Sequence, residues 1–347
     1  MGKKYTLFFI AALFYFLSVE YGCFSGGGSS GSADKKNDTS QRGVNLAGAE
    51  FGEVPGAYGF DYIYPNAEEL DYYKSKCIRL IRLPFRWERM QSSLYGQLDE
   101  DELALMDAFV AEARARSIKV IPAPHNNARY YGQLIGSAKV PNSAFKNFWE
   151  KMASHYKDNL GIYAYSLVDE PYDTSGLWPA AAQAAVDGIR SVDMTTIIMV
   201  PGDGYSAAHV WPDNNPNLSV VDPANNFMYE AHVYFDSDAS GQYLNDYDSD
   251  GAYPEIGIDR VDVFIQWLDD NNARGFIGGY GVPDTDERWL DVLSMFLAHL
   301  QANDLPGTYW AGGPWWGDYP LSVEPRGGKD RPQMKILTKY SGTACLD

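Results

Sequence analysis

Eight short runs rich in β-branched and aromatic residues recur between Gly43 and Trp310, and segments of helical spacing separate them. The runs are Gly43–Leu46, Ile78–Leu83, Ile118–Pro122, Ile162–Leu167, Ile197–Pro201, Phe227–His232, Phe276–Gly278 and Gly307–Trp310. The helical pattern is clearest over Asp99–Ser117. There Leu103, Met106, Phe109, Val110 and Ala113 share one face, and acidic residues crowd the start. Further helices are expected over Ala144–Lys157, Ala180–Ser191, Asp259–Asn271, Glu287–Asn303 and Pro332–Lys339. Strands joined through helices pair in parallel, and each helix buries one face on the sheet. Eight such units over about 300 residues predict an α/β fold closed into a (β/α)8 barrel. The rival is a doubly wound open sheet, which usually carries a glycine-rich phosphate loop after its first strand. No GxGxxG follows Gly43–Leu46.

Three parts are expected. Residues 1–22 read as an export signal, with Lys3 and Lys4 ahead of an apolar run from Leu7 to Phe16 that is too short to span a bilayer. Residues 23–41 are Gly, Ser and polar residues with little to bury, and they read as a tether. Residues 42–347 form the barrel. Cys23 follows a small residue and opens the tether, as at a bacterial lipoprotein junction, so lipidation of Cys23 is expected. The chain is then an exported lipoprotein of the periplasm or cell surface, with plain secretion as the alternative. Three cysteines are an odd number for an exported chain. With Cys23 lipidated, Cys77 and Cys345 remain. In a barrel the last helix packs beside the first, which makes a Cys77–Cys345 disulfide sterically reasonable; two unpaired thiols are the alternative.

The formal charge of −18 argues against a nucleic-acid partner and against attraction to anionic membranes, leaving membrane contact to the N-terminal lipid alone. Aromatic residues reach 14%, with 9 Trp and 25 Tyr. Such richness suits a cleft that stacks flat ligands, and the acidity favours sugar rings over bases. No HExxH, CxxC, GxSxG or P-loop occurs, and no metal or cofactor is expected. The Asp236–Asp250 stretch lacks the spacing of an EF-hand and reads as a solvated loop. Nothing calls for an oligomer, and a monomer is expected.

Active sites of such barrels lie at the C-terminal ends of the strands. Polar candidates gather there: Arg82, His125 and Asn126, Asp169 and Glu170, His232 and Tyr234, and Trp310. At these positions the sequence resembles glycoside hydrolase family 5, in its cellulase (endo-β-1,4-glucanase) branch. The resemblance is carried by Arg42–Phe51 (RGVNLAGAEF), Ile81–Met90 (IRLPFRWERM), His125–Gly132 (HNNARYYG), Tyr229–Asp236 (YEAHVYFD) and Gly307–Trp316 (GTYWAGGPWW). It implies a β-glucan-active barrel that binds β-glucan or cello-oligosaccharides without a cofactor.

The family is retaining, and its chemistry needs two carboxylates about 5–5.5 Å apart, an acid/base and a nucleophile. The acid/base lies in an Asn-Glu-Pro motif. Here the stretch is Asp169-Glu170-Pro171, so the resemblance implies Glu170, whose carboxyl must stay protonated until the leaving group departs. The nucleophile lies in a Gly-Glu-Phe/Tyr-Gly-Val-Pro motif. Here the stretch is Gly278-Gly279-Tyr280-Gly281-Val282-Pro283, and Gly279 takes the nucleophile position with no side chain. Asp169 stands where the family has Asn, and Ala123 where many relatives carry Asp. The family pattern implies that Arg82, in the substrate-binding site, braces the nucleophile and without one can pair with Asp169; it implies sugar contacts for His125, Asn126, His232 and Tyr234 and a stacking floor in Trp310, while Trp315 and Trp316 either extend that floor or only pack. Trp178 and Trp211, in loops after the fourth and fifth strands, are candidates for more distant subsites. Three expectations follow: a glycan-binding barrel with retaining hydrolysis lost, an active hydrolase with Asp169 as substitute base, or a transglycosylase using an α-configured donor.

Overall fold

The computed structural model describes residues 42–341. The expected strands all form: β1 (Arg42–Leu46), β2 (Leu80–Phe85), β3 (Lys119–Pro124), β4 (Ala164–Ser166), β5 (Ile197–Pro201), β6 (Phe227–Val233), β7 (Gly275–Tyr280) and β8 (Gly307–Gly312). They pair in parallel in the order β3-β2-β1-β8-β7-β6-β5-β4. Val120 closes the ring: its N–H donates to Gly161 O at 2.8 Å, and its carbonyl accepts from Tyr163 N at 2.9 Å. The result is the (β/α)8 barrel. Both faces of most strands are buried, which is why they read as continuous apolar runs.

Among the described residues, helices follow the strands around the barrel: α1 (Ala67–Ser75), α2 (Glu100–Ala115), α3 (Asn142–Tyr156), α4 (Trp178–Arg190), the short α5 (Trp211–Asn214), α6 (Ile256–Asp270), α7 (Glu287–Ala302) and α8 (Pro332–Tyr340), with one more short helical turn at Trp87–Met90. Their starts follow from local chemistry. Asn66 and Glu69 make a capping box on α1, while Asp99 and Asp286 accept from Glu102 N and Arg288 N at 2.9 Å each on α2 and α7. Gly188 on α4 lets that helix close on α3, because a methyl group there would fall 2.4 Å from Lys146 O.

The sequence ends β2 and β3 too early. The expected ends are Leu83 and Pro122, yet the strands run on to Phe85 and Pro124, in register with each other. Each proline removes a single donor, and its fixed φ is compatible with extended backbone. Arg82 is therefore not near a strand end but in mid-strand, aimed into the barrel.

The barrel interior is layered. Leu80, Ile121, Ala164, Met199, Met228 and Phe276 form one apolar cluster. Two residues further along the strands, the same inward positions hold Arg82, Ala123, Ser166, Pro201, Glu230 and Gly278. Arg82, Ser166 and Glu230 thus bring polar groups into the interior one layer above the apolar cluster. At the opposite end, Lys76 pairs with Asp330 at 2.6 Å, and Ser341 Oγ lies 3.5 Å from Lys76 O. Cys77 is disulfide-bonded. Its expected partner Cys345, like Cys23 and the expected signal and tether, lies outside the described residues.

Candidate active site

Arg82 is fully buried and organises the polar layer. Its Nη2 lies 2.8 Å from Asp169 Oδ1 and 2.9 Å from Glu230 Oε1, and Nη1 donates to Asn45 Oδ1 at 3.1 Å. Ser166 Oγ donates to Glu230 Oε2 at 2.6 Å. Asp169 follows β4, and its backbone N–H is fixed to Pro124 O at 2.7 Å. Its second carboxylate oxygen lies 3.0 Å from His125 Nδ1. Burial pushes the Asp169 carboxyl up, but the His125 and Arg82 charges overcome this and hold it well below the usual carboxylate range. Glu230 is likewise held low, with burial opposed by Arg82, His232 and Ser166.

Glu170 is the one carboxylate of the cluster that opens to the cleft, its side chain a quarter exposed. His232 Nδ1 donates to its Oε1 at 2.7 Å, and Asn127 Nδ2 donates to its backbone carbonyl at 3.0 Å. Burial alone would lower the His232 pKa. The hydrogen bonds to Glu170 and Glu230 prevail and push it to about 9. His125 is also raised, because Asp169 and Glu50 outweigh its desolvation. The His232 imidazole is therefore cationic at neutral pH.

The aromatic wall comes from β8 and the segment after it. Trp310 lies parallel to the His125 ring, 5.7 Å away and tilted by 12°. Trp316 stands edge-on to Trp310 and stacks on Tyr319 at 4.5 Å, while its Nε1 donates to Gly312 O at 2.9 Å. It buttresses the floor that Trp310 provides. Two cavities meet at Glu170, His232 and Tyr234. The smaller, about 190 Å³, is lined by His125, Asp169, Trp310 and Tyr319 as well. The larger, about 550 Å³, extends past Tyr205, His209 and Asn214. The loop that borders both is tied down by Asp236, whose carboxylate accepts from Gly241, Gln242 and Tyr243 N–H groups at 3.0–3.1 Å. Among the described residues, no group of three or more His, Cys, Asp or Glu is arranged to hold a metal ion.

Gly279 reaches this cleft through an irregularity. β6 and β7 pair as Ala231 with Ile277 and then His232 with Gly279, so β7 bulges at Gly278. The Gly278 carbonyl accepts from Asn45 Nδ2 at 2.8 Å and Thr308 Oγ1 at 2.6 Å. Bulges re-aim the residues beside them. Here Gly278 faces Glu230 within the barrel, while a Cβ on Gly279 would lie 3.1 Å from both His232 Nδ1 and Tyr234 Oη.

The structure brings together Arg82, His125, Asp169, Glu170, His232, Tyr234, Trp310 and the Gly279 position. Asn126 is different: it is buried, its Nδ2 is directed at Glu88 Oε2 at 3.5 Å, and it lines neither cavity. Trp178 and Trp211 are corrections. Trp178 opens α4 fully buried, its Nε1 donating to Pro201 O at 2.7 Å. Trp211 is fully buried against Tyr229, Phe264 and Trp267. Both are core residues, because each turns its ring inward from the start of a helix. Sequence reading missed Glu230, Ser166 and Asn45. Glu230 had a signal: a charged residue within an apolar strand must have a buried partner.

A closed barrel whose mouth carries a carboxylate beside imidazoles and a tryptophan floor defines a glycosidase-type architecture. Residues 34–315 match the cellulase family, glycosyl hydrolase family 5. Endo-beta-1,4-glucanase B of Aspergillus niger is 35% identical over 305 residues, 86% of this chain and 89% of that protein. The solved endoglucanase Cel5A of Pseudomonas stutzeri, in complex with cellobiose, superposes with a TM-score of 0.85 at 44% identity, covering 90% of this chain and 96% of that one. XacCel5A in complex with cellopentaose gives 0.82 at 35%, covering 87% and 99%. The chain belongs to the cellulase family, glycosyl hydrolase family 5.

Proposed function

We propose that this barrel binds β-1,4-glucan in its cleft and that its retaining hydrolysis is lost or severely impaired. One observation carries the reading. The Cβ position of Gly279 faces His232 and Tyr234 across from Glu170, where a second carboxylate would be needed, and glycine brings none. A retaining glycosidase without its nucleophile cannot form the covalent intermediate. Relatives solved with cellobiose and cellopentaose support an oligosaccharide as the ligand.

The rival reading makes Asp169 a substitute base. Its two oxygens are already engaged by Arg82 and His125 at 2.8 and 3.0 Å, and its pKa is held low. A base must have appreciable proton affinity and reach a water, so the geometry works against this role. The remaining parts of the proposal follow from the sequence. Residues 1–22 direct export, residues 23–41 tether a barrel lipidated at Cys23, and Cys345 is the partner of Cys77. The nearness of Ser341 to Lys76 supports that pairing.

The test compares reducing-end release from cello-oligosaccharides and soluble β-glucan by the wild-type chain and a Gly279→Glu variant. Wild type is expected to bind cellopentaose in calorimetry and release no ends, and the variant to cleave. Cleavage by wild type would overturn the proposal.

A further inference from the structure

After β1 the chain makes a long excursion at the barrel mouth before α1, and of residues 52–61 all but Val54 are exposed. A loop with so little buried is ordinarily mobile. This one is pinned. Arg89 is itself buried and directs its guanidinium at the loop backbone: Nη1 donates to Ala49 O at 2.8 Å, Nη2 to Phe51 O at 2.5 Å and Glu53 O at 3.2 Å, and Nε to Pro55 O at 2.8 Å. The same guanidinium lies 3.8 Å over the Tyr62 ring, and the Tyr62 hydroxyl donates to Glu102 Oε2 on α2 at 2.7 Å. The tip closes on itself, with Gly59 N donating to Tyr62 O at 2.8 Å and Ala57 N to Asp61 Oδ2 at 2.7 Å.

The pinned loop holds two aromatic rings out in water. Phe60 is 86% exposed and Tyr58 48%. A free loop would fold such rings back onto the protein, because burial of apolar surface is favourable. Here the backbone that carries them is fixed by Arg89, and Tyr58 rests edge-on against Tyr62 at 5.7 Å. Single exposed apolar residues are ordinary. A pair raised on a frame anchored by a buried arginine is a built surface.

Placement and charge narrow the partner. Phe51, at the base of the loop, stands edge-on to Trp316 at 4.9 Å, and Trp316 buttresses Trp310, so the loop continues the aromatic wall of the cleft. Phe60 and Tyr58 line neither cavity. Residues 47–66 include Glu50, Glu53 and Asp61 and no Lys or Arg. Phosphates and anionic headgroups are repelled by such a segment, whereas an uncharged sugar polymer is not. Arg42 opens β1 at the far end of the barrel, so the segment proposed as a membrane tether joins the face opposite this loop.

We propose that Phe60 and Tyr58 form a second glucan-binding platform, outside the cleft, that stacks on the flat apolar face of insoluble β-1,4-glucan. This rests on the reading of the cleft as a β-1,4-glucan site. Pyranose rings whose substituents are all equatorial turn their axial C–H groups outward, and an aromatic ring packs flat on that face. The platform projects from the rim and forms no groove, which suits an ordered surface of parallel chains and not one chain in solution. Cleft and platform engaged on one solid reinforce each other through effective concentration.

The experiment measures partition of the full chain onto insoluble cellulose, with and without saturating cellopentaose, beside calorimetry of cellopentaose in solution. Wild type is expected to stay partly bound to cellulose when cellopentaose fills the cleft. The double variant Tyr58→Ala, Phe60→Ala should lower the partition constant about tenfold and leave cellopentaose affinity and unfolding temperature unchanged. Phe60→Trp should keep the binding, and Val221→Ala, which trims an apolar residue 75% exposed elsewhere, should not alter it. Equal partition of wild type and double variant, or an equal loss in Val221→Ala, overturns the platform. So does complete displacement by cellopentaose, or binding to anionic phospholipid vesicles that the double variant loses. If cellopentaose binds and partition is unaffected, only the platform falls. If wild type binds no cellopentaose, the reading of the cleft falls with it.

Discussion

The ends of β4 and β7 face each other across the cleft and are built in opposite ways. After β4, Asp169 and Glu170 are each held by a cation, Asp169 by Arg82 and His125 and Glu170 by His232. At the end of β7 the chain supplies two glycines, and the groups that would hold a carboxylate there, Tyr234 and His232, remain in position. The difference shows that a site can keep its charge balance while moving the charge. Asp169 brings to Arg82 and His125 a carboxylate that Ala123 and Gly279 do not. An Asp at 169 beside a carboxylate at 279 would bring like charges together, whereas beside Gly279 it meets none. On the proposed reading of Gly279, the carboxylates of the site are gathered at the β4 end while the β7 end keeps only their neighbours.

The largest expected effect comes from filling the β7 end. Gly279→Glu should raise hydrolysis of cello-oligosaccharides by at least about a thousandfold over wild type, measured as kcat/KM. Equal rates would mean that the two strand ends do not cooperate as a pair. At the β4 end the corresponding test is Arg82→Met. Asp169 and Glu230 would lose their shared buried cation, which costs about 3–5 kcal/mol when one partner of such a group is removed. Thermal or urea unfolding would detect this, and a loss below about 1 kcal/mol would show that the cluster is not held by Arg82.

How far the sequence disclosed this comparison depends on which physical feature carried each part. The barrel was legible because parallel strands buried on both faces read as apolar runs, and the helices between them keep a clear period. Glu170, Asp169 and Gly279 were legible through their neighbours Pro171 and Tyr280-Gly281-Val282-Pro283. Two features were hidden. The bulge at Gly278 leaves no trace in a one-dimensional pattern, yet it decides that Gly279 and not Gly278 faces the cleft. The partners of Glu230 come from β2 and β4, so its role appears only after closure of the barrel. Trp178 and Trp211 misled for a related reason. Chain position locates a residue near the rim, but the ring direction is set by packing, and both rings point into the core.

Adjacent glycines sharpen the contrast within β7 itself. Gly278→Ala would drive a methyl group to 2.2 Å from Glu230 Oε1 in the crowded polar layer. It should destabilise the fold by about 1–3 kcal/mol. Gly279→Ala should cost clearly less, since its nearest contacts, at 3.1 Å, are side-chain atoms of His232 and Tyr234 that need shift only by a few tenths of an ångström, and alanine also lowers the entropy of the unfolded chain. Paired unfolding curves check this, and equal losses would remove the distinction between the two positions. A smaller effect lies in the pH dependence. His232 titrates near 9 when folded and near 6.5 when unfolded. Its contribution to stability is fully present below about pH 6.5 and is lost as pH rises through about 9. His125, also raised, adds in the same direction. Asp169 and Glu230 act with the opposite sign, their contribution falling away as acid protonates them. Unfolding temperature should therefore decline from pH 6.5 to 9, and His232→Gln should flatten that slope. An unchanged slope would place the titration elsewhere.

The smallest expected effect tests whether the two strand ends are coupled at all. Asp169→Asn in the wild-type background removes one carboxylate from Arg82 and His125 and leaves hydrolysis where it was, because no nucleophile is gained. In the Gly279→Glu background the same change also removes a like charge from the neighbourhood of the new carboxylate and supplies an amide donor in its place. A nucleophile must be ionised to attack, so relief of that repulsion helps only when residue 279 carries an acid. The double variant should thus exceed Gly279→Glu alone by roughly five- to tenfold in kcat/KM, a coupling of about 1 kcal/mol, which is typical of residues sharing one charge network. Its pH–rate profile should move its acidic limb to lower pH by the same cause. Strict additivity in the cycle would mean that Asp169 and residue 279 do not sense each other, and that the carboxylate gained on β4 is unrelated to the one absent from β7.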